Sequence, residues 1–391
     1  MTNWPTVTIQ DVAKLVTKGT TPTTLGSRFE TAGVSFVKVE SIRIDGRIDY
    51  NKIAFIDSET HELLKRSKLQ VDDVLFTIAG TIGRVARVTR TLLPANTNQA
   101  VAIIRPDQNL IEVNYLLYCL RDRGRVKRAL ERVVQSVQAN LSLSELSLVE
   151  IPLPPKTVQR AIAAILEAID DKIAANDQIV SRIGALTEST WLLACKNGGT
   201  IPLSSLARFV NGKAFTRDAS GTGRVVIRIV ELNSGIGSST VFNDIDVPEE
   251  HLAQPGDLLF AWSGSLTVAR WFREEAIINQ HIFKVIPKGD HPLWLVNQAL
   301  LSKLQGFKSI AADKATTMGH IQRHHLDEPV AVPAQDQVNR LDDLMSTLWQ
   351  RALATEKENL RLENTRDRLL PYLMSGKIRV RDAEKVLEEV V

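Results

Sequence analysis

The sequence predicts an α/β protein in which two copies of one β-rich α/β domain are separated by two long helices. The first observation is an internal repeat. Leu75-Phe76 returns as Leu259-Phe260, and Gly80 returns as Gly264, each 184 positions further on. The second observation is a long helical pattern after each copy. A period this long indicates a duplicated domain, because solenoid repeats have periods of roughly 20–50 residues.

Each copy contains a series of strand patterns. Short runs rich in Val, Ile and Phe, broken by Gly, Asp and Pro, are typical of strands. In the first copy they are VSFVKVESI (34–42), VLFTIAG (74–80) and AVAIIRP (100–106), and in the second VVIRIVEL (225–232), LLFAWSG (258–264) and HIFKVIP (281–287). A short amphipathic segment opens each copy, and a helical stretch lies near its end, at about residues 112–133 and 293–312.

The first long helix is predicted to follow Pro154-Pro155. Its apolar residues, spaced by three and four as in a coiled-coil seam, are Val158, Ile162, Ile165, Ile169, Ile173, Val180 and Ile183. Asn176 falls in the same register, where it either lies in the seam and fixes the register or is exposed after a small register shift. The helix is expected to stop at Asn197-Gly198-Gly199.

The second long helix is predicted after Pro333. Its apolar seam positions are Val338, Leu341, Met345, Leu348, Ala352, Leu362 and Leu369, after which Pro371 interrupts the spacing. Each helix exposes an apolar stripe and needs a partner, so we predict that the two pair as an antiparallel coiled coil, a spacer with one domain at each end. The predicted segments are the first domain (1–153), the central helix (154–199), the second domain (200–333), the C-terminal helix (334–375) and a tail (376–391).

Composition indicates an ordinary soluble protein. Hydrophobic residues make up 44% and charged residues 24% of the chain, and the net charge is +3. No apolar run is long enough for a membrane helix and no export signal opens the sequence, so a cytoplasmic location without membrane association is expected. The two cysteines have no metal-ligand spacing, which favours buried structural roles. The basic run RDRGRVKRALER (121–132) is either a solvated helix face or a stripe that contacts phosphates.

Motifs of a stand-alone enzyme are missing from the sequence. It has no phosphate-binding loop, no dinucleotide-binding glycine turn and no [DN]-P-P-[YF] motif of an amino-methyltransferase. His320, His324 and His325 could suggest a metal site, but a surface or groove-facing polar helix is the favoured interpretation, because no cysteine and no clustered carboxylates beyond Asp327 and Glu328 lie nearby. We therefore expect no metal, no bound cofactor and no catalysis by this chain alone.

Four segments resemble one family, the DNA-specificity subunits of type I restriction-modification systems. The junction SVQANLSLSELSLVEIPLPPKTVQRAIAAIL (136–166) is similar to the family's passage from target-recognition domain to central conserved helix. RLLPYLMSGKIRV (368–380) is similar to its C-terminal signature, and VTKGTTP (16–22) and NGKAF (211–215) are similar to its domain openings. The second junction departs from the pattern, with PAQDQ (333–337) in place of PPKTVQ (154–159).

The resemblance implies a non-catalytic subunit that recognises a bipartite DNA sequence. Each domain would bind one half-site of double-stranded DNA, and the paired helices would set the gap. The implied partners are two DNA-methylation subunits, which bind S-adenosylmethionine and modify adenine, and restriction subunits that translocate and cleave DNA. Two alternatives stay open: the recognition chain of a related system whose partner fuses methylase and nuclease, and a coiled-coil scaffold that binds no DNA.

Candidate DNA-binding residues are polar side chains in loops after the strands, because these can reach phosphates and base edges. In the first copy they are Lys18, Thr20, Thr21, Thr81, Arg84, Gln138 and Asn140, and in the second Asn211, Lys213, Ser263, Ser265, Lys314, Thr316 and Thr317. The pairs Asn98-Gln99 and Asn279-Gln280 are also candidates, although their presence in both copies favours a shared structural role. Gly80 and Gly264 more readily fit tight turns than phosphate contacts.

Overall fold

The computed structural model describes residues 4–122, 124, 126, 127, 131, 140–313 and 319–388. The chain divides into two units. Unit 1 comprises Met1–Lys172 and Leu362–Val391, and unit 2 comprises Ile173–Arg361. Each unit therefore contains one copy of the repeat and parts of both long helices.

Strands in unit 1 form three sheets. Their bounds are β1 (Thr6–Thr8), β2 (Ala13–Lys18), β3 (Val34–Val37), β4 (Ala54–Ile56), β5 (Val74–Thr77), β6 (Val85–Arg87), β7 (Ala95–Thr97), β8 (Val101–Pro106) and β9 (Glu150–Pro152). The order β2-β8-β5-β6 makes an antiparallel sheet, β4-β3-β7 makes a mixed sheet in which β3 and β7 run parallel, and β1 pairs with β9.

Helices in unit 1 are short except where the long helices enter it. They are α1 (Ile9–Val12), α2 (Ser58–Leu63), α3 (Val113–Arg121), α4 (Leu143–Ser147), the first part of α5 (Lys156–Ala194), the last part of α9 (Gln335–Met374) and α10 (Val380–Glu388). The last of these lies in the segment predicted only as a tail.

Unit 2 repeats the strand order of unit 1. Its strands are β10 (Gly199–Pro202), β11 (Ala207–Asn211), β12 (Arg224–Ile227), β13 (Val241–Asn243), β14 (Leu252–Ala253), β15 (Leu258–Ala261), β16 (Thr267–Arg270), β17 (Ala276–Ile278), β18 (Ile282–Pro287) and β19 (Pro329–Val332). The helices within the repeat are α6 (Leu203–Leu206), α7 (Ile229–Ser234) and α8 (Leu293–Asp313).

Matching topology in the two units confirms the predicted duplication. The sheet β11-β18-β15-β16 corresponds to β2-β8-β5-β6, and the parallel pair β12-β17 corresponds to β3-β7. The pair β10-β19 corresponds to β1-β9. The inward residues of β15 and β18, such as Phe260 and Phe283, form the core of the second copy with α8. Two copies of one β-rich α/β domain were therefore correctly predicted.

The two long helices run antiparallel in unit 2, and they also contact each other in unit 1. In unit 2, the Asn176 side chain donates to Glu358 at 3.0 Å, and the Asn359 side chain donates to Asp177 at 2.9 Å. In unit 1, Asp170 accepts a hydrogen bond from Arg366 at 2.8 Å. Further along α5, Trp191 lies in one core cluster with Val338 and Trp349, so within unit 2 residue numbers rise along one helix as they fall along the other, which confirms the predicted antiparallel pairing. Asn176 is 1% exposed, so it lies in the seam, and the alternative of an exposed asparagine is wrong.

Pro371 does not end the second long helix, which was predicted to run to residue 375. Helix α9 continues to Met374 with Pro371 inside its last turn. The proline removes one backbone donor, but Leu370, Leu373 and Met374 beside it are almost fully buried. Burying these side chains contributes about 1.5–3 kcal/mol each, which offsets the cost of the proline.

The strand predicted at residues 225–232 is also partly wrong. The strand ends at Ile227, and helix α7 begins two residues later. Arg228 and Glu231 cause this change, because the backbone N–H of Arg228 donates to the Glu231 carboxylate at 2.9 Å and caps the helix. Likewise VSFVKVESI forms a strand only to Val37 and then a 3-10 turn.

The first long helix ends within a few positions of its predicted end. Helix α5 ends at Ala194, a 3-10 turn follows, and Gly198 caps it. The domain boundaries at 153/154 and 333/334 stay predictions. Cys119 is buried beside Met374, and burial raises the pKa of the half-buried Cys195 thiol to about 11. Among the described residues, no helix combines the length and apolarity needed to cross a membrane.

Candidate nucleic-acid interface

In each domain, one glycine allows a loop to lie directly against the end of a neighbouring strand. A Cβ atom on Gly19 would lie 1.8 Å from the carbonyl oxygen of Thr97, and a Cβ on Gly212 would lie 2.2 Å from that of Asn279. Only glycine permits this approach. The loop after β2 therefore lies beside the Asn98-Gln99 turn, and the loop after β11 lies beside Asn279-Gln280.

Two further segments join these loops. The backbone N–H of Ile78, at the start of the β5–β6 hairpin loop, donates to the carbonyl of Ala100 at 2.8 Å. The N–H of Leu141, just before helix α4, donates to Ile78 at 2.8 Å, and Ala79 forms a β-bridge with Asn140. Four segments distant in sequence thus meet at one end of the sheet, and we call residues 18–22, 78–84, 98–100 and 140–141 the loop edge of domain 1.

Domain 2 has the same arrangement. The N–H of Trp262 donates to the carbonyl of His281 at 3.1 Å, the N–H of Ile321 donates to Trp262 at 3.1 Å, and Ser263 bridges His320. The loop edge of domain 2 therefore comprises residues 211–217, 262–267, 279–281 and 319–321. Most of the predicted DNA-binding residues within the described chain lie on these two edges.

Residues of the first loop edge are partly tied to one another. Thr21 is hydrogen-bonded to Gln99, and Thr20 accepts a bond from the guanidinium of Arg66 at 3.3 Å. Arg66 is exposed, so it places a cation on this edge. Sequence reasoning missed Arg66 because it lies between β4 and β5, which belong to different sheets, and only the fold brings it to Thr20.

Arg84 has an internal role in the structure. Its guanidinium donates to the backbone carbonyls of Val39 at 3.3 Å and Ile42 at 2.8 Å. These bonds connect the β5–β6 loop to the segment that follows β3. Thr81 and Asn140 are exposed, and Lys18 is half-buried at the end of β2. These three keep polar atoms at the surface of the edge.

The asparagines of the repeated Asn-Gln pairs orient loops. The Asn98 side chain accepts from the N–H of Ala100 at 3.1 Å, and the Asn279 side chain accepts from the N–H of Phe215 at 3.1 Å. The glutamines that follow, Gln99 and Gln280, are exposed. This geometry supports the predicted structural role for the asparagines, and it leaves Gln280 and the amide nitrogen of Gln99 exposed to a ligand, since the Gln99 oxygen accepts from Thr21.

The glycines of the hairpin loops have the left-handed backbone that a tight turn requires. Gly80 has φ of 71° and Gly264 has φ of 62°. A side chain at Gly80 would meet no atom within 4 Å, so conformation rather than crowding selects glycine there. The predicted turn role fits both positions.

The second loop edge differs from the first in its side chains. Asn211 accepts from the indole N–H of Trp262 at 2.8 Å and donates to the carbonyl of Gly212, so its side-chain amide is engaged in bonds within the protein. Lys213 and Ser265 are exposed, whereas Ser263 is only 4% exposed. The surface that domain 2 offers to a ligand therefore centres on Lys213, Gln280 and Ser265.

Four of the predicted residues lie outside the described residues: Gln138, Lys314, Thr316 and Thr317. Much of the basic run also lies outside them, although Lys127 pairs with Glu131 at 3.8 Å on one helical face. The described residues hold no group of three or more His, Cys, Asp or Glu placed to bind a metal ion.

A buried histidine lies behind the second loop edge. His251 is 3% exposed, and its ring is 5.7 Å from that of Phe215. Burial lowers the pKa of His251, and the nearby Lys213 cation lowers it further. The neutral imidazole is thus the form that this edge accommodates.

Comparison with known proteins agrees with this arrangement. Residues 1–184 match the family model described as the type I restriction modification DNA specificity domain. A putative type I restriction enzyme MjaX specificity subunit from Methanocaldococcus jannaschii is 28% identical over 184 residues, which are 45% of this chain and 42% of that protein. The MjaIX specificity subunit of the same organism is 22% identical over 426 residues, covering 97% of this chain and 94% of that protein.

A solved structure shares the fold. The type I restriction-modification S subunit from M. genitalium superposes with a TM-score of 0.55 at 16% identity, over 95% of this chain and 96% of that one. This likeness concerns the fold alone. The resemblance seen in the sequence is confirmed.

Proposed function

We propose that this chain is a type I restriction-modification specificity subunit and that its two domains each bind one half of a split DNA sequence; the match of residues 1–184 to the DNA specificity domain supports this. The observation that carries the proposal is the loop edge. In two domains of the same topology, four segments meet at the equivalent end of the sheet and present exposed polar and cationic side chains. Such side chains reach phosphates and base edges.

The two loop edges share the same backbone arrangement but carry different side chains. This difference supports the recognition of two different half-sites. Domain 1 presents Arg66, Thr81 and Gln99, whereas domain 2 presents Lys213, Ser265 and Gln280. Arginine and glutamine can form paired hydrogen bonds with guanine and adenine respectively. We infer that the glutamines and the cations are the strongest candidates for direct DNA contact.

The helices α5 and α9 would set the gap between the half-sites. They contain 39 and 40 residues, or about 60 Å of helix at 1.5 Å per residue. A buried polar side chain in the seam, such as Asn176 bonded to Glu358, fixes one register of such helices. Shortening both helices by matched heptads should then shorten the gap and leave the half-sites unchanged.

Other subunits would supply the catalytic activities. We infer that two methylation subunits, carrying S-adenosylmethionine, dock on the helices and modify adenines, and that restriction subunits join them in the cytoplasm. This chain would contribute recognition and no catalytic group.

The decisive experiment is to co-express the chain with its candidate methylation subunit and map methylated adenines by single-molecule sequencing. A split motif with a fixed gap, lost when this chain is omitted, is expected. Replacing residues 1–150 by the corresponding domain of another subunit should change one half-site only. A stable complex without any motif would favour the scaffold, and a partner that both methylates and cleaves would favour the fused system.

A further inference from the structure

The connection between β3 and β4 in domain 1 contains a tight turn with an arginine on each side. The N–H of Arg43 donates to the carbonyl of Arg47 at 2.9 Å, and the N–H of Gly46 donates to the carbonyl of Arg43 at 3.2 Å. Gly46 has a φ of 85°, in the left-handed region that glycine favours in such turns. The backbone therefore holds these two arginines opposite each other, and we call residues 43–47 the arginine turn.

An aspartate within the arginine turn brings the two guanidinium groups together. Oδ2 of Asp45 lies 2.9 Å from Nη2 of Arg43 and 2.9 Å from Nη2 of Arg47. The two arginine side chains are 52% and 39% exposed. Because a guanidinium has five N–H donors, the donors that do not face Asp45 can bind a second anion. The turn thus presents two adjacent cations against one carboxylate at the surface.

The arginine turn lies beside the loop edge of domain 1. Arg84, in the hairpin loop of that edge, donates to the carbonyl of Ile42 directly before the turn at 2.8 Å. A Cβ atom on Gly46 would lie 3.1 Å from the carbonyl oxygen of Val85 and 3.5 Å from Cζ of Arg121. The turn therefore extends the loop edge toward the end of α3, where the basic run of the sequence begins.

An exposed isoleucine lies in the corresponding connection of both domains. Ile44 of the arginine turn is 65% exposed, and Ile236, between β12 and β13, is 44% exposed. The connection in domain 2 also lies beside its loop edge, since the Thr267 hydroxyl donates to Asn233 at 2.8 Å. Residues 233–239 contain no charged side chain. Burial in the core explains neither isoleucine, and the paired arginines belong to domain 1 alone.

We propose that the arginine turn is a second DNA-contacting element of domain 1, in which Arg43 and Arg47 bind backbone phosphates beside the first half-site and Ile44 packs against the groove. The proposal rests on the proposed function. Arginine forms paired hydrogen bonds with phosphate, and DNA-binding proteins also place isoleucine in the minor groove. Phosphate contacts fix the position of a protein on DNA but carry no sequence information. The element therefore adds affinity to domain 1 without changing the sequence that its loop edge recognises.

The test uses the full chain with its methylation subunit and fluorescein-labelled duplexes that carry either the mapped motif or a scrambled sequence. Affinity is measured against salt concentration. In the double variant Arg43→Gln with Arg47→Gln, the slope of log K against log salt should become shallower by about 1.8, because each lost phosphate contact removes about 0.9. Affinity at about 0.1 M salt should fall about 10–100-fold, with the ratio between motif and scrambled duplex unchanged.

Two further variants separate charge from shape. Arg43→Lys with Arg47→Lys keeps both charges and should keep the wild-type slope. Ile44→Ala should lower affinity while the slope stays the same, because it removes an apolar contact and no charge. Arg160→Gln is the matched control, since Arg160 is 65% exposed and paired with Glu112, which precedes α3 at the end away from the arginine turn. It should keep both the slope and the affinity.

A wild-type complex that prefers the motif duplex, together with an unchanged slope in the glutamine variant, overturns this inference and leaves the proposed function standing. A lysine variant that loses as much slope as the glutamine variant also overturns it, since the arginines then act through the shape of the turn. If Ile44→Ala weakens assembly with the methylation subunit instead of DNA binding, the turn belongs to a protein interface. If the wild-type complex binds the motif no better than the scrambled duplex, the proposed function itself fails.

Discussion

Replacing Asp170 by alanine should destabilise unit 1 more than any other single loss of charge on helix α5. The carboxylate accepts three hydrogen bonds, from Tyr118 at 2.8 Å, Arg121 at 2.6 Å and Arg366 at 2.8 Å. It thereby joins α3 and both long helices. Burial and the carboxylate raise the pKa of the Tyr118 hydroxyl, and the carboxylate keeps Arg366 charged.

The size of the expected loss of stability follows from the burial of the two arginines. The Arg121 and Arg366 side chains are only 11% and 13% exposed, so both cations would stay largely desolvated without Asp170. Removing one partner of a fully buried pair costs about 3–5 kcal/mol. Because Asp170 itself is 23% exposed, water replaces part of the loss, and we expect about 2–3 kcal/mol. With a urea slope of about 2–3 kcal/mol/M, the midpoint should fall by about 1 M.

Urea denaturation followed by two probes measures this change. Trp4 is the one tryptophan in unit 1, and the other five lie in unit 2, so tryptophan fluorescence reports mainly on unit 2 and far-ultraviolet circular dichroism on both. The dichroism transition should move further than the fluorescence transition. Asp171→Ala removes the same charge from an exposed neighbour and is the control. Equal midpoints for the Asp170 and Asp171 variants would refute the reasoning.

Three further outcomes are expected. Gly19→Ala places a methyl group 1.8 Å from a backbone carbonyl oxygen and should lower both the melting temperature and DNA affinity, whereas Gly237→Ala, with open space around it, should change neither. Asn176→Ala loses the seam hydrogen bond to Glu358 and should cost about 1–3 kcal/mol in urea denaturation, while Glu358→Gln, which keeps an acceptor, should cost less than half of that. Because burial holds the pKa of His251 below 6.5, the folded state takes up its proton later than the unfolded chain. Its contribution to stability is therefore complete above pH 6.5 and is lost as the pH falls toward the lowered pKa, and His251→Gln should flatten the melting temperature across this range.

The repeat and the seam were predictable because both leave periodic signals. Matched strand runs such as residues 74–80 and 258–264 reveal the duplication, and three-and-four spacing reveals the helices. The presence of Pro371 inside the last turn of α9 has no such periodic signal. Burial of Leu373 and Met374 against unit 1 outweighs the local cost of Pro371, and such tertiary contacts have no signature in a local pattern.

The loop edge was predictable only in part. Residues next to repeated strands, such as Thr81 and Lys213, could be nominated because the repeat marks where strands end. Arg66 and Arg43 could not, since their position depends on how distant segments meet. The differences between the copies held a usable signal, however. For example, Trp262 takes the place of Ile78 in the matched runs, so the side chain differs between the copies although the strands correspond.

Pairing of the first and last strands of each domain has a consequence for how such chains can change. Thr6 pairs with Pro152, and Gly199 pairs with Val332, so each domain begins and ends at neighbouring points of the backbone. Paired strands lie only about 5 Å apart. In the second copy, the whole domain between α5 and α9 is thus connected to the two helices at only two adjacent points of the backbone. A genetic exchange that preserves these two connections can replace the whole domain and leave the helical register intact.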